Sequence, residues 1–172
     1  MSIHYSTSLN RIFILSQKIY YQTAAVAIAA SIHRNKVEKY GPQLAIDGEV
    51  KNGFYHGGTK TKYPWHMTIF PTTIHLYSVE IYNRHDCCGY KLRDIEVRAG
   101  LTKIDVNYRG KITENILCGK FRGPGRKGKR YTIICRIPIL ASVITIQGVG
   151  RAGSRHILAF EELDFVEIKY SS

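Results

Sequence analysis

Asn83-Arg84-His85-Asp86-Cys87-Cys88-Gly89-Tyr90-Lys91-Leu92 is the stretch on which the reading of this chain turns. It places a guanidinium, a carboxylate, two adjacent cysteines and an ammonium within ten residues. A planar guanidinium can grip two neighbouring oxygens at once, and a lysine adds a compact charge with three donors. Asp86 stands between the two cations and suits the task of orienting them. An ordinary surface ion pair of Arg84 with Asp86 would contribute only about 0–1 kcal/mol. The paired cysteines make that bland reading less attractive.

Working outward, both flanks alternate with a period of two. Val79, Ile81 and Asn83 alternate with Glu80 and Tyr82; Ile95 and Val97 alternate with Asp94, Glu96 and Arg98. Phe165, Glu167 and Lys169 alternate with Val166, Ile168 and Tyr170. Val143, Thr145 and Gln147 interleave with Ile144 and Ile146, a run that predicts burial on both faces. Gly41-Pro42, Gly57-Gly58 and Gly123-Pro124-Gly125 punctuate these runs. Short strands between such breaks predict an all-β sandwich or barrel. No long segment repeats at 3.6 residues, although Ala24 to Ala30 suits a short helix. Residues 1–21 show no clear pattern and are set apart as an extension. Residues 22–172 are expected to form one domain.

Charge narrows the partners. Lys and Arg outnumber Asp and Glu by 25 to 13, for a net charge of +12. That balance favours anionic partners, or else describes a solvated basic surface. The Ile12 to Leu15 run is too short for the apolar core of a signal peptide, and no segment approaches a membrane span. No phosphate-binding glycine loop and no GxSxG element is present, so catalysis is not expected. The four cysteines, Cys87, Cys88, Cys118 and Cys135, lack zinc-ligand spacing. Their even number permits two disulfides, which would imply an oxidising compartment.

The Arg84-x-Asp86-Cys87-Cys88 word followed by Lys91 resembles the signature of F-type lectins (fucolectins). Ala45-Ile46-Asp47-Gly48 is similar to that family's entry segment. Pro64-Trp65 resembles its Pro-Trp-Trp strand start, with His66 in place of the second Trp. Leu158 to Phe165 resembles its closing strand. The resemblance covers roughly residues 22 to 170. It implies a jelly-roll β-sandwich of the discoidin or galactose-binding type. It also implies an extracellular location and recognition of fucosylated glycans or glycoproteins.

The resemblance further implies site residues. Arg84 and Lys91 would hold fucose, Asp86 would support them, and Cys87–Cys88 would form a vicinal disulfide whose sulfurs make an apolar ledge. Cys118–Cys135 would form a second bond. A third family disulfide has no counterpart, since Thr59 or Phe54 stands at one position and Glu161 at the other. The pocket histidine falls on His56 by one alignment, and on Thr61 by another that shortens the loop. A structural calcium ion would take carboxylates from Asp47 and Glu162 and carbonyls from Leu44, Glu49 and Glu161. Gly58 or Gly53 stands where the family has a hydroxyl donor.

Between Cys118 and Cys135 runs a basic, glycine-rich segment containing Lys120, Arg122, Arg126, Lys127, Lys129 and Arg130. It reads as a solvated hairpin loop able to meet anionic glycans. Only Phe121 and Tyr131 flank it, so nucleic-acid binding is the weaker reading. Two other readings compete with the fucose lectin: a discoidin-like adhesion module for lipid or protein, and a nucleic-acid-binding protein. Single lectin sites are usually weak, so homo-oligomerisation would add avidity.

Overall fold

The computed structural model describes residues 14–18, 25–29, 32–58, 61–150 and 157–170. Its strands are β1 (Ile14–Lys18), β2 (Val26–Ala29), β3 (Tyr55–His56), β4 (Trp65–Tyr82), β5 (Ile95–Gly100), β6 (Ile116–Phe121), β7 (Arg130–Gly148), β8 (Ala159–Phe160) and β9 (Glu162–Tyr170). One short helix, α1 (Val37–Tyr40), and brief 3-10 turns complete the described elements. The main sheet runs β1-β9-β4-β7-β5-β6, with β2 also on β4; β3 and β8 form a separate ribbon. All pairings are antiparallel.

The long β4 and β7 organise the β-sandwich. Their ladder shifts register between Ile69 and Ile74, and again between Leu76 and Ser78. The first part of β4 therefore lies between β2 and β7, and its last part lies between β9 and β7. Such irregularities bend a strand and let it serve two surroundings. Alternation works as expected. Val79 and Ile81 are fully buried while Glu80 and Tyr82 remain half-exposed. Val143 through Gln147 are buried on both faces.

Two expectations change. Within the alanine-rich run expected to be helical, Val26–Ala29 is strand β2. Ala27 and Ala29 pack toward the main core and Ile28 toward a smaller cluster around Trp65 and Met67. Alternate faces are thus both used, and pairing overrides weak helix propensity. Within the stretch set apart as an extension, β1 pairs with β9 from Ile14–Tyr170 to Lys18–Val166.

Candidate functional site

The stretch Asn83 to Leu92 is a loop between β4 and β5, fastened by its own side chains and by the basic segment. Asn83 Nδ2 donates to the carbonyls of Gly89 and Arg126, each at 2.9 Å. The Asn83 Oδ1 accepts from the Arg84 amide at 3.0 Å. Gly128 N–H donates to the Arg84 carbonyl at 2.7 Å, and Gly125 N–H to that of Leu92 at 2.8 Å. A Cβ on Gly89 would stand 2.4 Å from the Lys127 amide nitrogen, so only glycine fits this close approach. The basic segment is therefore not simply a solvated hairpin loop; its backbone braces the site. Glu161, almost fully buried, accepts from the His85 amide at 2.8 Å and also meets His85 Nδ1.

Arg84 is the centre of the cluster. It is 7% exposed, and two of its nitrogens bind Asp86: Nε to Oδ1 at 2.9 Å and Nη2 to Oδ2 at 2.7 Å. Nη2 also lies 3.4 Å from Cys87 Sγ. The guanidinium carbon sits 4.0 Å from the centre of the Phe54 ring. Nη1 has no partner among the described residues. The Arg84 hydrogen bond holds the Asp86 carboxyl well below its usual range, at about 2. Asp86 thus remains charged and fixes the guanidinium plane.

His56, from β3, belongs to the same cluster. Its ring lies 4.5 Å from His33, 5.8 Å from Tyr40 and 6.1 Å from Phe54, centre to centre. Burial pushes its pKa down to about 4, with further lowering from the charges of His33, Arg84 and Lys91. The imidazole is neutral at neutral pH. Nδ1 lies 2.7 Å from the Gly57 carbonyl, which assigns the proton to Nδ1 and leaves Nε2 as an acceptor. Lys91 ends a 3-10 turn, Gly89–Lys91, and its charge acts on both His33 and His56. His56, named by one of the two alignments, lies where the charges of Arg84 and Lys91 act on it. Thr61 lies in the segment leading to β4.

His33 was missed by sequence reasoning. It sits in a 3-10 turn, His33–Asn35, outside every motif. Burial lowers its pKa first, followed by the charges of Arg34, Lys91 and Arg84. Only folding brings it to His56, so no local signal could have found it.

The cysteines divide. Cys118 and Cys135 are bonded. Cys87 and Cys88, expected as a vicinal disulfide, are both free thiols. Neighbouring Cα atoms stand about 3.8 Å apart across a trans peptide, so a bond between the two thiols would have to close a tight, strained ring. Here Cys88 takes a left-handed conformation, φ 58°. The Cys87 thiol is pushed up, first by its hydrogen bond with Cys88. Thr59, one candidate for the absent third disulfide, lies outside the described residues. Phe54 and Glu161 serve the cluster in other ways, as above.

On another side of the loop, Asp47 and Glu162 face each other. Burial first, then the Asp47 charge, pushes Glu162 up to about 8. Its Oε1 accepts from the Gly48 amide at 3.3 Å, while Oε2 is buried with no partner. Asp47 accepts from the Glu49 amide at 3.0 Å and from Asn52 at 3.1 Å. Leu44 lies in the 3-10 turn Pro42–Ala45, which packs against β9. Among the described residues no group of three or more His, Cys, Asp or Glu side chains is placed to hold a metal. Side-chain donors here number two, and any further ligands would be backbone oxygens.

No family model matches the chain. The pentraxin fusion protein of Xenopus laevis is 23% identical over 141 residues, covering 68% of this chain and 33% of that protein. The crystal structure of an F-lectin (fucolectin) from Morone saxatilis serum superposes with a TM-score of 0.72 at 18% identity. It covers 88% of this chain and 49% of that one. A Streptococcus pneumoniae fucose binding module superposes with a TM-score of 0.60 at 16% identity, covering 83% and 90%. The chain thus spans about a third of the pentraxin fusion protein and half of the bass lectin chain. Its fold is the β-sandwich of F-type lectins and fucose-binding modules.

Proposed function

We propose that this domain is a non-catalytic lectin that binds fucosylated glycans at the Arg84, Lys91 and His56 cluster. The observation that carries the reading is that Arg84 and His56 both lie at the Phe54 ring, with the Lys91 charge acting on the imidazole. A buried guanidinium keeps one nitrogen unused and a neutral imidazole offers an acceptor. Sugar hydroxyls are both donors and acceptors, so a pair of neighbouring hydroxyls finds complementary partners here. Arg84 Nη1 and Lys91 donate to ring-substituent oxygens; His56 Nε2 accepts a hydroxyl proton. Phe54, Tyr40 and the exposed Cys87 supply apolar surface for a deoxy sugar's methyl group. The bass serum lectin and the Cys118–Cys135 bond support an extracellular site of action.

Asp47 and Glu162 fit a calcium ion as a structural ligand pair. A buried carboxylate oxygen without a partner, facing a second carboxylate, is what a hard cation would satisfy. Carbonyls of Leu44, Glu49 and Glu161 are the proposed remaining protein ligands. The ion would neutralise the pair and tie the turn at Gly48 to the start of β9.

The test is calorimetric titration of methyl fucoside into wild type and Arg84→Lys. Binding by wild type and its loss in the variant are expected. Absence of binding by wild type, together with binding to lipid vesicles, would instead support the adhesion-module reading.

A further inference from the structure

A cavity opens beside the loop, with a volume of about 860 Å³. Lys91, a member of the proposed sugar site, lines it. Its floor is Glu96, on β5, which is 3% exposed. Three cations surround that carboxylate: Lys120 at 2.9 Å, Lys111 at 3.4 Å and Arg98 at 3.5 Å. The two lysines also line the cavity and are about half-exposed, at 46% and 58%. Each ammonium uses one donor on Glu96 and has two more for other partners.

The walls add further positive charge. Arg93 pairs with Asp94 at 3.0 Å, yet its side chain is 58% exposed. Arg122 is exposed, and neither it nor Lys91 has an ion-pair partner among the described residues. Five cations therefore line the cavity against two carboxylates, Asp94 and Glu96. Tyr90, 62% exposed, stands next to Lys91 at the rim. A concave surface of one sign concentrates ligands of the other. An exposed aromatic ring packs on the apolar face of a sugar.

We infer that this cavity is a subsite for an anionic sugar residue, carrying a sulfate ester or a carboxylate, in the same glycan whose neutral sugar occupies the Arg84 cluster. The inference rests on the proposed lectin site for its neighbour, but not for its own charge. Lys91 would serve both sugars, and Tyr90 would separate them. Nucleic acid fits less well, because Tyr90 is the exposed ring at the rim while Phe121 is half-buried against Tyr131.

The test compares four probes by titration at low and at moderate salt: a neutral fucosylated oligosaccharide, its sulfated and its sialylated counterparts, and a sulfated oligosaccharide without fucose. Wild type should bind at least one anionic fucosylated probe roughly tenfold more tightly than the neutral one, with the gain shrinking as salt rises. Which of the two gains identifies the anion. The double variant R93Q/R122Q should lose the gain while keeping neutral-probe affinity; neither residue belongs to the sugar cluster. If the neutral probe fails but the fucose-free sulfated one binds and the variant abolishes it, the subsite stands and the fucose site falls. Equal affinity for neutral and anionic probes overturns the subsite. So does an anionic gain that survives R93Q/R122Q, or tighter retention of a DNA duplex than of any glycan with the same arginine dependence.

Discussion

Arg84 rests its guanidinium on the face of Phe54, with 4.0 Å between the guanidinium carbon and the ring centre, although the two belong to different loops. Asp86 grips the same guanidinium edge-on at 2.7 and 2.9 Å. Stacking fixes the plane and the carboxylate fixes the rotation within it. The remaining nitrogen is aimed without further freedom to lose.

Arg84→Lys keeps the charge but loses the fork and the stacked plane. Fucose affinity should fall roughly tenfold or more, the loss of one to two charge-assisted hydrogen bonds. Asp86→Asn should cost less, since one hydrogen bond from Arg84 can survive. Calorimetric titration ranks them; an Arg84→Lys protein with wild-type affinity would remove Arg84 from the site.

His56→Ala and Lys91→Ala should each weaken fucose binding by about tenfold, through loss of an acceptor and of a cationic donor. His33→Ala should weaken it less, because His33 supports the His56 ring at 4.5 Å. Near-identical circular dichroism spectra would establish that the fold persists. If the loss at His33 exceeds that at His56, the roles of the two histidines are reversed.

Calcium should raise the melting temperature, and the rise should require Glu162. A ligand confined to the folded state stabilises it by mass action. Because Glu162 is held up to about 8, binding near pH 7 should release a proton, so affinity should increase with pH up to about 8. Glu162→Gln should leave the calcium-free protein no less stable, since it removes a buried carboxyl whose ionisation the fold disfavours, yet abolish the response. A melting temperature unchanged by chelation and re-addition of calcium would dispose of the metal site.

Without calcium, stability should peak near pH 6.5. Burial lowers His56 and His66 to about 4 in the fold, against roughly 6.5 unfolded. Between those values the unfolded chain binds more protons, so stability falls as pH drops from about 6.5 to about 4. Glu162 works the other way. Its folded pKa of about 8 exceeds its unfolded value, so its contribution is lost as pH rises from about 4.5 through 8. Below 6.5 two histidines outweigh one glutamate. Thermal melts across this range check the shape, and Glu162→Gln should flatten the upper limb and steepen the lower one.

Thiol titration of the native protein should find two free thiols, Cys87 and Cys88, and one disulfide. Zero would mean the two neighbours had bonded to each other; four would mean that the Cys118–Cys135 bond had not formed. Replacing both Cys118 and Cys135 by Ser should cost about 3 kcal/mol for a loop of 17 residues. That corresponds to a melting temperature lower by roughly 10 °C.

By itself the sequence determined the alternating runs in β4, β5, β7 and β9 and the position of the loop that carries Arg84, Asp86 and Lys91. Alternation at Val79, Ile81, Ile95 and Val97 sorts inside from outside because strand side chains alternate with a period of two. Arg84 and Asp86 lie so close in the chain that their pairing needs only a turn. Tertiary structure alone decided the rest. Only pairing with β4 makes the alanine-rich run a strand, and pairing is not a local property. Folding brought His33 and Phe54 to His56 and put Glu161 beneath His85. It also set the basic segment against the loop and buried Glu96 among three cations. Each of these joins residues distant in sequence, and the chain carries no local mark of which distant groups close packing will bring together.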